Sequence, residues 1–546
     1  MAKQLSERML LSGDEAVALA ALNAGVLLGT GYPGTPSTEI LEAFGALGGK
    51  AQWAPNEKVA LEVGLGAAFG GARALVTMKH VGVNVAADVL FTATYTGVSG
   101  GLVLVSADDP GMASSQNEQD NRNFARAAGT LMLEPADSQQ AYDFTAAGFV
   151  LSEQFGLPVI LRMTTRVCHS KSIVVQRPLP QPAAAPHFER KVSERVMIPA
   201  HARPAHRRLR DKLARAATYA EHCAQTIVEL RGKALGIITS GISTMHARDA
   251  APDASILQLG LSYPLPMQAI RDFVASVERC VVVEEGDPIL VTELLAAGLK
   301  VEGKSERFRF GELNVDRVRR ILAHDESEEA KVPAGKPPAL CEGCSHRPVF
   351  ETLAKLDCIV SGDIGCYTLG VLPPFSAMDT CVCMGASIGV GLGLRHVLPE
   401  AEARRVVSVI GDSTFMHSGL TGLAEMVYNV PPTGHLLLIL DNGTTAMTGQ
   451  QEHPGTGRSL LHDQAGKIDF EAVVRAMGIT NVSTIDPMAD AAGLEAAITA
   501  ALARNELSVI VARRPCILAA PKIRQYEKAV AEKLMAGTAC CAAVAE

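Results

Sequence analysis

A chain of 546 residues with 48% hydrophobic and 20% charged residues is globular and long enough for three or four domains. Its net charge of −8 argues against nucleic acid or an anionic membrane surface as the main partner, and no apolar run reaches the roughly 18 residues of a membrane span. MAKQLSERMLL is too polar for a secretory leader, so the chain is expected in the cytoplasm, its 12 cysteines serving as metal, cluster or buried thiols rather than disulfides.

Ser12-Gly13-Asp14-Glu15 reads as a capped helix start, and the helix runs through Leu22. Val26 to Leu28 is a short predicted strand. Tyr32-Pro33-Gly34-Thr35-Pro36-Ser37 is a turn stiffened by two prolines, with Ser37 or Thr38 positioned to cap the next helix. Trp53-Ala54-Pro55-Asn56 leads into a helix of small residues with Glu57 in its first turn and Glu62 a turn further; an exposed acid favoured by the helix dipole is the plain reading of either. Leu75 to Asn84 runs from strand into loop and carries Lys79 and His80 at the strand's end, either as a solvated lysine with a satisfied histidine or as contacts to an anion. Gly101 to Ser106 is another strand, followed by the turn-rich ADDPGMASSQNEQDNRNFAR. Leu157 to Met163 closes the first domain; Arg162 and Arg166 have no role assignable from sequence. From about 174 to 225 the composition shifts to proline, alanine, arginine and histidine, a linker with one or two helices. ALGIITSGIS, ILQLGLSYPLP and CVVVEEGDPILVTEL restart an α/β pattern, which ends in a charged, proline-containing boundary at 325–339.

The last domain opens on Cys341-x-x-Cys344 with His346, a pattern open to zinc, redox or cluster chemistry; Cys381-x-Cys383 makes a poor second pair for zinc. Met384-Gly385-Ala386-Ser387 opens a glycine-rich helix suited to close approach by a phosphate. Arg405 to Ile410 and His435 to Leu440 are apolar runs flanking a helical pattern, the second stopping at Asp441-Asn442: strand, helix, strand. In a parallel sheet both carboxyl ends share one edge, so Asp412 and Asn442 meet there, a hard-oxygen pair suited to an octahedral magnesium that also holds phosphate oxygens. A phosphorylated cofactor is therefore implied. The first and last thirds alternate strands and helices alike, as two related α/β units would.

Gly411-Asp412-Ser413 followed by Asn442 resembles the thiamine diphosphate signature. GDSTF with DNGTTAMTG, together with the YPGTPS turn and the SSQNEQD stretch, is similar to 2-oxoacid:ferredoxin oxidoreductases, and in particular to the indolepyruvate ferredoxin oxidoreductase alpha-subunit family, over about residues 8 to 520. The resemblance implies an α/β fold: two thiamine diphosphate-binding doubly wound parallel-sheet domains, pyrimidine-binding at 1–175 and diphosphate-binding at 340–524. Between them come a linker with helices at 176–232, a transketolase C-terminal-like domain at 233–324 and the boundary at 325–339; a tail at 525–546 follows.

By the same resemblance Glu57 faces the aminopyrimidine ring, with Glu62 as its rival, and Thr35 contacts cofactor and substrate. Lys79 and His80 would meet a 2-oxoacid. Gly385, Ala386, Gly411 and Ser413 are expected around the diphosphate, with Asp412, Asn442 and the Thr444 carbonyl on Mg2+. His417 is either near the site or on a helix surface. Cys341, Cys344, Cys366 and Cys516 match the ligands of a proximal 4Fe-4S cluster, leaving the other cysteines as buried or tail thiols.

The implied activity is oxidative decarboxylation of an aryl 2-oxoacid, indolepyruvate or phenylpyruvate, to the acyl-coenzyme A, in a dimer of heterodimers with a beta subunit. A non-oxidative decarboxylase and a non-catalytic subunit are the alternatives. Asp108-Asp109 stand where pyruvate enzymes carry an arginine, which argues against pyruvate, and Ala113 replaces the family's histidine. The family's C-terminal ferredoxin domain has no counterpart here, and the vicinal Cys540-Cys541 cannot replace it. Electrons are thus expected to leave through a separate ferredoxin-type or other accepting subunit.

Overall fold

The computed structural model describes residues 8–329, 335 and 337–542; the side chains of residue 530 and of 533–542, Cys540 and Cys541 among them, lie outside that description, as do the first seven residues of the lead-in and part of the 325–339 boundary. The chain divides into two compact units, 1–330 and 331–546.

In the first unit, an antiparallel ribbon pairs β1 (Arg8–Ser12) with a later strand. The main sheet begins with β2 (Leu28–Gly31), β3 (Ala51–Trp53), β4 (Ala74–Lys79), β5 (Leu102–Asp108), β6 (Leu131–Leu133) and β7 (Val159–Thr164); β8 (Lys171–Val175) is the ribbon partner. Every residue of β4, β5 and β7 is buried, as strands covered on both faces require, which is why they read as continuous apolar runs. The expected strand at Val26 to Leu28 lies instead at Leu28–Gly31, LGTG. Two glycines hide it from an apolar scan, and they are there for packing: a Cβ on Gly29 would sit 2.9 Å from Leu41 and Phe44, and one on Gly31 would sit 2.5 Å from the Thr77 carbonyl.

The second sheet of this unit joins β9 (Thr226–Glu229), β10 (Leu235–Thr239), β11 (Ser255–Leu259) and, after β12 (Leu261–Tyr263), β13 (Arg279–Val283), in the order β13-β10-β11-β9. Two features depart from the predicted boundaries. β9 falls in the expected linker yet pairs antiparallel with β11, so this sheet starts at Thr226 rather than 233. β12 leaves its neighbours and pairs antiparallel with β6, which makes it an edge strand of the first sheet. The linker also holds a 22-residue helix, Pro199–Ala220, whose Leu209 and Leu213 enter the first sheet's core.

A buried charge network ties the two sheets together. Arg162 donates to Asp108 (2.7 Å) and Glu134 (2.6 Å), and Arg122 bonds Asp120 and Glu284 at 2.5 Å each. All six side chains are nearly inaccessible, so each charge depends on its partners. Arg122→Met is expected to destabilise the chain by about 3–5 kcal/mol, because Glu284 loses its ion pair while buried and Asp120 keeps only the longer contact to Arg162, 3.5 Å. Urea unfolding followed by circular dichroism checks this; a shift below about 1 kcal/mol would contradict it.

The second unit carries one six-stranded parallel sheet of β14 (Ile359–Gly362), β15 (Thr380–Cys381), β16 (Val406–Gly411), β17 (His435–Asp441), β18 (Asn481–Ile485) and β19 (Leu507–Arg513), ordered β15-β14-β16-β17-β19-β18. The parallel strands of the first sheet, β3-β2-β4-β5-β7-β6, follow the same order when each set is counted from its own start. The two related α/β units expected from the alternation of strands and helices are thus present. Among the described residues no helix is long and apolar enough to cross a membrane.

Candidate active site

In the first unit, four predicted residues gather at the carboxyl ends of β2 and β4. Thr35 is half-buried in the turn after β2. Neither Ser37 nor Thr38 caps the following helix, α2 (Thr38–Ala46), which packs on α1 (Gly13–Asn23); instead Ser37 Oγ donates to the Gly34 carbonyl (2.8 Å) and Thr38 Oγ1 accepts from Gly34 N (3.0 Å), so both hydroxyls are spent closing the turn. That turn presses on β4: a Cβ on Gly34 would lie 2.9 Å from the Lys79 Cβ.

Lys79 and His80 are not a solvated loop pair. Both are buried, Lys79 donating to the Ser114 carbonyl (2.7 Å) and His80 Nε2 lying 3.1 Å from the Asn117 carbonyl. Burial pushes the Lys79 pKa down, and nearby Asp109 opposes the shift. Asp109 in turn pins the loop that holds them, accepting from Ser114 N (2.9 Å), Ser115 Oγ (2.5 Å) and Thr165 Oγ1 (3.1 Å). The acids at 108 and 109 are therefore structural partners, Asp108 of Arg162 and Asp109 of this loop. Ala113 is exposed on the same loop.

Glu57 opens α3 (Glu57–Phe69), capped by Asn56, whose side chain accepts from Val59 N at 2.9 Å. It is 5% exposed, and it lies so close to Gly82 that a Cβ there would stand 2.5 Å from the Glu57 Cγ. Its rival Glu62 pairs with Lys58 on the outer face of α3, which removes it from this cluster.

In the second unit, β16 and β17 are neighbours with Gly411 opposite Leu440, so Asp412 and Asn442 do meet at one sheet edge. Asp412 is held on all sides: Oδ1 accepts from Ser413 N (2.8 Å), while Oδ2 accepts from Gly443 N (2.8 Å) and lies 3.2 Å from His453 Nε2. Burial would raise its pKa, but His453 and the backbone donors prevail and bring it below the ordinary value. Asn442 Oδ1 accepts from Thr444 N (3.1 Å), and its Nδ2 faces His346 Nε2 at 3.4 Å. Asp441 turns away to Arg513, 2.7 Å. A carboxylate and an amide oxygen side by side, each with a lone pair to spare, fit a hard divalent cation. Ser413 supports the edge through a bond from Thr445 Oγ1 (2.8 Å), and buried Thr444 donates its hydroxyl to the Gln451 carbonyl, 3.1 Å. His417 is buried rather than on a helix surface.

The helix Ala386–Val397 differs from expectation at its start. Gly385 N and Ser387 N donate to Asp363 (2.8 and 3.0 Å), and Ala386 N donates to the Cys383 carbonyl (3.0 Å). A protein carboxylate thus occupies the N-terminal donors assigned to a diphosphate. Gly385 is required for a separate reason: its φ is +87°, and a Cβ would stand 2.5 Å from that of Ser418.

Cys341, Cys344, Cys366 and Cys516 line one cavity of about 80 Å3, shared with His346 and Asn442. Burial, followed by the other three thiols, pushes the Cys366 pKa up to about 11, so the four sulfurs sense one another. Four thiols around one void fit a cubane cluster, and exposed Cys381 and Cys383 lie outside the cavity lining. Cys516 N donates to the Asn442 carbonyl (2.8 Å), which puts one hydrogen bond between the thiol set and the residue whose amide oxygen fits a cation.

His453, Asp363 and the position of His346 escaped the sequence reading. The signal available was the continuation QEHPGTG directly after DNGTTAMTGQ, a polar loop too long to be a mere connection.

Two histidines of this unit carry an acid-stability prediction. Burial holds the His346 pKa down to about 4 against the pull of Asp412, and burial with Arg395 and His396 holds that of His435 down to about 3. Both are neutral when folded and protonate near about 6.5 when unfolded. The unfolded chain therefore binds more protons in acid, and the stability present above pH 6.5 drains as pH falls toward 4. Each histidine contributes a slope of about 1.4 kcal/mol per pH unit. His435→Gln should remove about half of the combined slope in urea titrations at pH 6.5, 5.5 and 4.5; equal slopes in variant and parent would refute it.

Residues 363–512 match the family model described as thiamine pyrophosphate enzyme, C-terminal TPP binding domain, and residues 19–230 match pyruvate flavodoxin/ferredoxin oxidoreductase, thiamine diP-bdg. The chain is 38% identical to indolepyruvate oxidoreductase subunit IorA of Archaeoglobus fulgidus, over 95% of this chain and 88% of that protein. It is 39% identical to the subunit of the same name from Methanothermobacter thermautotrophicus, over 96% and 89%. Among solved structures, 2-oxoglutarate:ferredoxin oxidoreductase from Magnetococcus marinus with 2-oxoglutarate, coenzyme A and succinyl-CoA bound shares the fold at TM-score 0.51 and 17% identity, covering 59% of this chain and 65% of that one.

Proposed function

Since this chain belongs to the family of indolepyruvate oxidoreductase subunit IorA, thiamine diphosphate-dependent 2-oxoacid oxidoreductases of several subunits, we propose that it oxidatively decarboxylates an aryl 2-oxoacid of the indolepyruvate or phenylpyruvate type. Acyl transfer to coenzyme A and electron delivery to a separate accepting subunit complete the reaction, with a beta subunit as partner in a dimer of heterodimers. The observation that carries this reading is the cavity lined by Cys341, Cys344, Cys366 and Cys516, which opens onto Asn442. A purely non-oxidative decarboxylase has no use for four thiols beside its cation ligands.

Bound thiamine diphosphate supplies the nucleophilic carbon and the electron sink for decarboxylation. Asp412, Asn442 and the Thr444 carbonyl would hold a Mg2+ ion, which would supply positive charge for the diphosphate, with Gly411 and Ser413 lining the approach. Asp412 is held ionised and pre-oriented by Ser413 N, Gly443 N and His453, so it meets the cation without rearrangement. Glu57, fixed against Gly82, holds and returns a proton at its carboxyl oxygen. Lys79, aimed by the Ser114 carbonyl, and Thr35 position the 2-oxoacid, and His80 supports the loop that carries Ser114 and Asn117. The four cysteines would hold a 4Fe-4S cluster, which would supply one-electron chemistry beside the cation site.

Anaerobic turnover of the complex with a panel of 2-oxoacids, with and without coenzyme A, tests the reading, alongside iron, sulfide and thiamine analysis. Reduction of an electron acceptor fastest with aryl substrates is the expected result. Iron-free protein that releases aldehyde without reducing an acceptor would overturn it.

A further inference from the structure

Asp14, the second residue of α1, takes no part in the chemistry above. It is 1% exposed, and neither of its carboxylate oxygens accepts a hydrogen bond of good geometry. Burial pushes its pKa well above the ordinary value; the Cys168 thiol alongside draws it back, and Glu39 pushes it further up. A buried carboxylate without donors is unfavourable by several kcal/mol unless it is protonated or faces a cation. What faces it are ligands. Glu39 reaches it from the first turn of α2, and His169 from the end of the helix Thr165–His169; one atom from each of the three side chains lies within 4.8 Å of the others.

We propose that Asp14, Glu39 and His169 form a binding site for one divalent transition metal of the zinc class. An imidazole nitrogen with two carboxylates suits zinc, whereas magnesium and calcium prefer an all-oxygen shell. Zinc ligands stand about 3.4 Å apart in a tetrahedral site, so the three atoms close by about an ångström on binding. Glu39 and His169 are exposed and supply that movement, and with it an entry path, while Asp14 stays fixed in the core. The fourth position falls to water or to the sulfur of Cys168, which lies against Asp14. The metal would neutralise two carboxylates and staple α1 and α2 to a helix that lies more than a hundred residues further along the chain. One of them, α2, begins directly after the turn that carries Thr35, so the site would hold that turn in place without touching substrate.

The test adds zinc chloride to full-length protein already loaded with magnesium and thiamine diphosphate, and compares the parent with His169→Ala and Glu39→Gln. Both positions are exposed, so both variants should fold. The parent is expected to retain one more zinc per chain than either variant after gel filtration, and to bind that equivalent at least tenfold more tightly. Zinc at the cysteines is common to all three proteins and cancels. Crystals of the parent should give an anomalous peak at the zinc edge between Asp14, Glu39 and His169. Equal zinc content in parent and variants, or no peak there, overturns the proposal.

Discussion

Glu57→Gln is expected to lower anaerobic 2-oxoacid turnover by about 10²–10⁴-fold, the usual contribution of a positioned general acid–base group. That corresponds to about 2.7–5.5 kcal/mol of transition-state stabilisation. Glutamine fills the same volume against Gly82 and at the start of α3, so packing survives and only proton exchange is lost. Thiamine diphosphate affinity, read by calorimetry, should change far less than turnover. Glu62→Gln is the control: it breaks only a surface pair with Lys58 and should leave kcat within about twofold. Comparable rates in the two variants would remove Glu57 from its assigned role.

Cys366→Ser is expected to abolish reduction of the electron acceptor while sparing cofactor binding. In the metal-free fold its thiol is held up to about 11 by burial and by Cys516, Cys344 and Cys341, so a thiolate exists there only when a metal displaces the proton. Serine ligates iron poorly. Iron, sulfide and the visible absorbance of the cluster should fall together, and exchange of carbon dioxide with the 2-oxoacid should persist, because the Asp412 edge is untouched. Cys383→Ser, outside the cavity lining, should retain the full spectrum. A Cys366→Ser protein that keeps its iron and its acceptor activity would refute the ligand assignment and, with it, the oxidative reading.

Much of this site was legible in the sequence because its elements are local. A β-branched run that ends in Gly-Asp, and a leucine-rich run that ends in Asp-Asn, fix two strand tips, and parallel pairing then brings Asp412 and Asn442 to one edge. Asn56 before Glu57 fixes the start of α3 in the same way. The cysteine set came from the resemblance, since Cys341-x-x-Cys344 by itself stayed open to zinc, redox or cluster chemistry.

What composition, spacing and resemblance determined, then, was the α/β class, the two related sheets and the residues at each strand tip, all set by interactions a few residues long. Tertiary packing alone decided that His453 steadies Asp412 from 41 residues away, that Asp363 takes the donors of Gly385 and Ser387, and that β12 crosses to pair with β6. The buried Arg122 and Arg162 network and the buried Asp14 belong to the same group. The physical reason is common to all: a buried charge or an edge strand is satisfied by whichever group the folded chain brings within about 3 Å, and that choice depends on how whole layers pack, not on any neighbouring residue.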